Sequence, residues 1–361
     1  MDGAVAALGT DCTIMRAVVV NEVDHYQLTE TADPALVAPT DIVVRVTATT
    51  VCGSDLHLIA GHLPTPWGFE LGHEFVGVVE QAGAAVRNLA VGDRVVAPAA
   101  PWCGTCQTCR AGQIQRCERG GIFGSGAAFG GLGGAQAERV RVPWADACVS
   151  VIPDGVSDAQ ALTVGDVLST GWTGVREAVS APGQTLVVFG AGPVGLSAIH
   201  TAALFGPRRV IAVDAIPDRL ELALRLGADV TVDARDGDVV EAVRALTRGR
   251  GAEAVVDAAG VPATIGAWAG VAAIGGRVAM LGIPAGPVEL PLGALQMQNV
   301  SIWTGLGDLG HMDMLLGMIA AGRLDPAPMF TETVAFDAIE TAIADVAARK
   351  PGLVKPLVTV G

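Results

Sequence analysis

Aromatic residues make up only 4% of this 361-residue chain, and tyrosine occurs once. Its cores must therefore be built from Val, Leu, Ile and Ala, and the 51% hydrophobic content supplies them. Positive charge is also scarce. Against 37 Asp and Glu stand 23 Lys and Arg, a net charge of −14. That balance argues against a nucleic-acid partner, which needs a basic face, and against adhesion to anionic lipid. No uninterrupted apolar run of about 18 residues exists, so no membrane span is expected. The most apolar stretch, 267–286, carries Arg277 and several glycines. The first residues lack a basic segment ahead of an apolar one, which speaks against a signal peptide. Residues 1–14 read as a loose N-terminal extension, with the first strand beginning at Met15.

Cysteine is plentiful by comparison. There are seven, and four of them form Cys103-x2-Cys106-x2-Cys109-x7-Cys117. Thiolates at that spacing can close a tetrahedron around one Zn²⁺ and leave no position open for chemistry. Disulfides or an iron–sulfur cluster are the competing uses, and the spacing favours zinc. An odd cysteine count with four metal-type thiols suits a reducing cytoplasm. A second, different set lies elsewhere: Cys52, and His73 within Gly72-His73-Glu74. One closed metal lobe beside one mixed set suggests a metalloenzyme. Cys12 and Cys148 have no partners in the sequence and read as inert. His25, His62, His200 and His311 belong to no constellation.

The length fits two domains. The first half is rich in short strands, such as 42–46, 75–79, 94–96 and 139–142, and residues 120–134 form a glycine-dense loop. Past residue 180 strands alternate with helices. The pattern predicts strands at 185–189, 209–213, 229–232, 254–257 and 277–281. It predicts helices at 193–205, 217–226, 237–248 and 262–273. That alternation specifies a parallel sheet covered on both faces. A helix at 311–321 and a last strand near 355–360 follow.

Gly190-Ala191-Gly192-Pro193-Val194-Gly195 is G-x-G-x-x-G, set between an all-apolar strand and a helix. In that context the glycines allow the tight turn, the approach of a pyrophosphate and close helix–strand packing. Asp214 closes the next strand, where a carboxylate accepts from ribose hydroxyls and repels a 2′-phosphate. The expected cofactor is therefore NAD. Arg219 could reach the same ribose, or be a solvated helix charge.

Cys52-Gly53-Ser54-Asp55-Leu56-His57, and Gly72 through Val86 with Gly77 and Gly83, complete the pattern. With the four-cysteine lobe and the glycine motif, the chain from Met15 onward resembles the zinc-containing medium-chain alcohol dehydrogenases. That resemblance implies an α/β protein in two parts. A GroES-like, mostly-β catalytic domain would span 15–165 and 305–361, with the zinc lobe at about 101–118. A Rossmann domain, a doubly wound parallel sheet for the cofactor, would span 166–304. It implies two zinc ions per chain. The catalytic one would be held by Cys52, His73 and Asp166, with Glu74 beside it and able to swing in. Ser54 matches the hydroxyl that meets the substrate oxygen, His57 the far end of a proton relay, and Thr170 a residue under the nicotinamide. Leu281, Gly305 and Leu306 fall where backbone holds the nicotinamide, and Lys355 where a basic side chain meets the cofactor phosphates. The implied reaction is reversible hydride transfer between a primary or secondary alcohol and NAD. A polyol, amino-alcohol or small-aldehyde substrate is the alternative. A non-enzymatic dinucleotide binder would lack these residues. The resemblance also implies a homotetramer, or a dimer.

Overall fold

The computed structural model describes residues 14–361. Most of the expected N-terminal extension, Cys12 included, lies outside the described residues. Its last member, Ile14, already belongs to the first strand, Ile14–Glu22, and pairs with Ala32.

Two large sheets organise the molecule. The parallel sheet has six strands in the spatial order Val230–Asp233, Arg209–Asp214, Thr185–Phe189, Ala252–Asp257, Ala272–Met280 and Ser301–Thr304. The chain starts at the middle, winds one way, then returns and winds the other. Ligands bind such sheets at the reversal, outside the carboxyl ends of the strands. Thr185–Phe189 is buried at every position because helices cover both faces, which explains its unbroken apolar run. The helix after it is Pro193–Thr201, shorter than the 193–205 expected, because residues 202–205 tighten into a 3₁₀ turn ending at Gly206, φ +64°. The helix expected over 262–273 stops at Val271. Ala272 and Ala273 are already strand and are buried against the sheet.

The second large sheet is mostly antiparallel. Its path runs Phe330–Ala335, Lys355–Thr359, Ile42–Thr49, Phe75–Ala82, Arg94–Val96 and Ser150–Val151, with Arg139–Val142 also on Ile42–Thr49. The C-terminal strand pairs with a strand from the first 50 residues, Val358 opposite Thr49. Sequence that follows the parallel sheet thus returns to complete the other core. A three-stranded sheet built on Ile14–Glu22 lies beside it. Gly77 is glycine for a packing reason: a Cβ there would lie 2.1 Å from the Arg45 carbonyl oxygen. No helix among the described residues is long and apolar enough to cross a membrane.

Candidate functional site

Cys52 precedes the helix Gly53–Ile59, and its backbone N–H donates to Asp55 Oδ2 at 2.9 Å. His73 lies on the short link into Phe75–Ala82. Gly72 allows that link at φ +98°, where a Cβ would strike Gln136 at 2.5 Å. Thr49 Oγ1 donates to the Glu74 carbonyl at 2.8 Å and fixes the same link. Asp166 stands just before the helix Val167–Ala178 but makes no side-chain cap to it. Its carboxylate faces His73 instead, Oδ2 to Nε2 at 3.6 Å. Donor atoms of Cys52, His73, Glu74 and Asp166 all lie within 4.8 Å of one another. Ser54 joins them, its Oγ 3.4 Å from His73 Nε2.

The electrostatics of this group favour a cation. Burial alone would lower the pKa of His73, yet Asp55, Asp166 and Cys52 together hold it well above its ordinary value. A buried cluster that draws a proton onto imidazole has unspent negative potential. Glu74 Oε2 is buried without a partner. A thiolate, an imidazole and carboxylates are the donor set zinc prefers.

Asp55 and Gln136 escaped the sequence reading. Asp55 is fully buried, and its Oδ1 lies 3.2 Å from His73 Nδ1, close but out of line for a good hydrogen bond. Gln136 Nε2 donates to Asp55 Oδ2 at 2.9 Å and to the Thr50 carbonyl at 3.2 Å. A carboxylate behind a ligating histidine fixes the ring and its tautomer.

Lys355 requires a correction. It is not open toward a phosphate cradle. Its side chain is fully buried, with Nζ 2.7 Å from Glu74 Oε1 and 3.4 Å from the Val51 carbonyl. Burial would lower its pKa, but the Glu74 carboxylate outweighs that and holds it raised. The physical reason is compensation: a carboxylate 1% exposed needs a counter-charge. Removing one member of a buried pair costs about 3–5 kcal/mol. Lys355→Met should therefore lower the denaturant midpoint strongly. Adding Glu74→Gln should recover part of the loss. An unshifted midpoint would show the pair to be energetically idle.

His57 lies one turn beyond Ser54. Its ring bonds not to Ser54 but to His62, Nδ1 to Nδ1 at 3.2 Å. His62 thus does belong to a constellation, formed by a turn five residues long. Thr170 sits one helical turn past Asp166, its Oγ1 3.5 Å from Asp166 Oδ1. It packs so closely on Gly307 that a Cβ there would come within 2.3 Å of its hydroxyl. That contact brings the loop carrying Gly305 and Leu306 to the zinc-type site. Leu281 N–H donates to the Asp257 carbonyl at 2.8 Å, at the carboxyl ends of two sheet strands.

The three motif glycines have three different reasons. Gly190 is at φ +83°. A Cβ on Gly195 would lie 1.7 Å from the Gly190 carbonyl oxygen. Gly192 faces open space, with only Arg219 Nη1 within reach at 3.8 Å. Nothing internal requires a glycine there, whereas an approaching pyrophosphate would. Pro193 and Val194 open the helix, presenting its N-terminus to negative charge. Asp214 accepts from Ala191 N at 2.6 Å and Ile216 N at 2.9 Å, so its carboxylate is tied to the glycine loop. Arg219 is largely buried beside it, and burial lowers its pKa despite the Asp214 charge.

The four-cysteine lobe is also assembled, with all four sulfurs within 4.8 Å of one another. Backbone N–H groups point at sulfur: Cys103 N to Cys117 at 3.3 Å, Cys106 N to Cys103 at 3.4 Å and Cys109 N to Cys106 at 3.5 Å. The Thr108 hydroxyl and the Cys109 amide pull the Cys106 thiol down to about 5. Burial and the sulfurs of Cys106 and Cys117 push Cys109 up to about 12. Four thiolates cannot coexist so closely without a cation, and zinc fits. Cys148 is buried, its thiol pushed up to about 12 by burial, and so is unreactive.

Comparison with known proteins agrees with this geometry. The family model described as the alcohol dehydrogenase GroES-like domain matches residues 38–154, and that described as zinc-binding dehydrogenase matches 193–311. An alcohol dehydrogenase of Cupriavidus necator is 35% identical over 360 residues, covering 95% of this chain and 98% of that protein. The solved alcohol dehydrogenase from Thermus sp. ATN1 superposes with a TM-score of 0.91 at 37% identity, covering 96% of this chain and all of that one (100%). The apo form of zinc dependent alcohol dehydrogenase 2 from Streptococcus pneumonia gives a TM-score of 0.89 at 32% identity, covering 96% of this chain and 98% of that one. The chain belongs to the zinc-containing medium-chain alcohol dehydrogenases. Its two large sheets are the GroES-like and Rossmann parts of that family, and it is an oxidoreductase.

Proposed function

We propose that this chain is an NAD-dependent, zinc-containing alcohol dehydrogenase acting on small primary or secondary alcohols. The observation that carries the reading is the convergence of Cys52, His73, Glu74 and Asp166, whose donor atoms lie within 4.8 Å of one another. Cys52, His73 and Asp166 would hold the catalytic zinc. Glu74, anchored by Lys355, stands beside them as a reserve ligand. Cys103, Cys106, Cys109 and Cys117 would hold the structural one. Bound zinc would act as a Lewis acid on the substrate oxygen, and the nicotinamide would accept the hydride.

The protein's own part is placement and proton handling. Ser54 Oγ, within reach of His73, is placed to accept the proton of the substrate hydroxyl. His57, one helical turn on, takes it toward solvent. Thr170, Leu281, Gly305 and Leu306 would shape the nicotinamide seat. Gly192 gives the pyrophosphate room, and Asp214 takes the ribose hydroxyls with Arg219 alongside. The six described cysteines form no disulfide, which suits a reducing cytoplasm. Exposed Met297, Ile274 and Ile302 lie near the edge strand Ser301–Thr304 and suit a homo-oligomer, a tetramer by family resemblance.

The reading is tested with ethanol, propan-2-ol, benzyl alcohol, cyclohexanol and butane-2,3-diol. NAD⁺ and NADP⁺ are supplied in parallel, and bound metal is measured on the same sample. Turnover of none by the zinc-loaded chain would end it. Preference for the diol would favour the polyol alternative. Asp214→Gly should lower the NAD-to-NADP preference in kcat/KM by roughly tenfold to a hundredfold, the worth of a charged hydrogen bond. An unchanged ratio would remove Asp214 from the ribose site.

A further inference from the structure

The geometry points to His62 as the outlet of the proton path, receiving from His57 the proton that leaves the alcohol and passing it to water. This rests on the reading of His57 as a relay and extends it by one residue. His57 lies in the last turn of Gly53–Ile59, and the chain then reverses at Gly61, φ +70°. His62 N–H donates to the His57 carbonyl at 2.9 Å, which folds the second ring back over the first. The ring centres are 5.5 Å apart and the planes tilted by 50°. The contact is between Nδ1 atoms at 3.2 Å, hydrogen-bond range. It holds only when one Nδ1 carries a proton and the other offers a lone pair.

Exposure rises along the same line. His57 is half-buried and His62 is exposed. Burial, then the His62 charge, lowers the His57 pKa, which favours passing a delivered proton on. Neither ring bonds to a carboxylate, lysine or arginine among the described residues. The only bonded acceptor for a proton on His57 is therefore His62. The transfer uses both nitrogens of each ring. A proton arrives on His57 Nε2 as the His57 Nδ1–H bond breaks and the His62 Nδ1–H bond forms. The resulting His62 imidazolium loses a proton to water or buffer, and solvent resets the tautomers between turnovers.

The competing role for His62 is a strut that only holds the His57 ring. Asparagine and glutamine can hydrogen-bond to that ring but cannot carry a proton. The test uses the full-length zinc-loaded enzyme with saturating NAD⁺ and the fastest alcohol of the five-member panel. Stopped flow follows phenol red for released protons and NADH absorbance for hydride, at low buffer. His62→Asn and His62→Gln should slow proton release about tenfold. That is less than the ~10²–10⁴ of a group touching the reacting atoms, because His57 keeps partial access to water. Added imidazole should restore the rate, and NADH affinity and melting temperature should not move. Wild-type proton release in both variants, or slowing that imidazole does not relieve, would overturn the outlet role. Wild-type turnover with those results leaves the dehydrogenase reading standing. A wild type inactive on the whole panel would sink that reading, and the relay with it.

Discussion

Cys52→Ser should leave a folded chain that still binds NADH but oxidises alcohol on the order of 10³–10⁴-fold more slowly, the loss of several kcal/mol of charge stabilisation. Serine keeps the size of the side chain and its place ahead of Gly53–Ile59. It gives up the thiolate, and a neutral hydroxyl is a poor donor to zinc. His73 and Asp166 remain, and Glu74, the reserve ligand, is held back by its ion pair with Lys355. Bound metal should fall from two equivalents to one, matching the two donor groups. The remaining equivalent belongs to the cysteine lobe, which shares no residue with Cys52. NADH affinity should hold because the glycine turn at 190–195 lies on the parallel sheet, while Cys52 belongs to the other part of the molecule. Fluorescence titration with NADH, metal analysis and initial rates on one preparation settle the matter together. Loss of NADH binding, or full activity with one metal, would contradict the ligand assignment.

Clusters whose spacing is local were legible in the sequence. Cys103 to Cys117 sit within one loop, so their spacing already fixes which sulfurs can meet. Gly190 to Gly195 are read in the same way, since the strand before and the helix after supply their context. Cys52 and His73 are far apart yet stood out as a second set, and Asp166 joined them only through resemblance. What escaped notice is the layer behind them. Gln136 lies 81 residues from Asp55, and Lys355 lies 281 from Glu74. Lys355 reaches Glu74 because Lys355–Thr359 returns to pair with Ile42–Thr49, and Gln136 reaches Asp55 because its backbone bonds to Leu71 and Val18; no local pattern encodes either register. His62 was overlooked for a different reason. It is near His57 in sequence, but their contact depends on a reversal at Gly61 rather than on helical spacing. The missed end of the helix at Val271 is a tertiary effect too, because pairing Ala252 with Ala272 starts the strand early.

Cys106→Ala should cost stability first and chemistry only as a consequence. Cys106 is the hinge of the lobe. Its sulfur accepts from the Cys109 amide at 3.5 Å, meets the Thr108 hydroxyl at 3.2 Å and lies 3.9 Å from Cys117 Sγ. The Thr108 hydroxyl and the Cys109 amide lower its pKa, favouring the thiolate that a metal needs. The lobe has only the four-residue helix Gln107–Arg110 and a 3₁₀ turn at Ile114–Arg116 to hold its shape. Such a segment depends on its metal, and structural zinc contributes about 10–16 kcal/mol of binding free energy in small zinc modules. Part of that is lost with one ligand, so a melting temperature lower by many degrees is expected, with one metal equivalent gone. Chelator should then bring the wild-type melting temperature down toward that of the variant while moving the variant's little. Near-normal kcat should persist at temperatures where the variant remains folded, because Cys52, His73 and Asp166 are untouched. A variant with wild-type melting and two metals, or one well folded but inactive, would remove the structural role of the lobe.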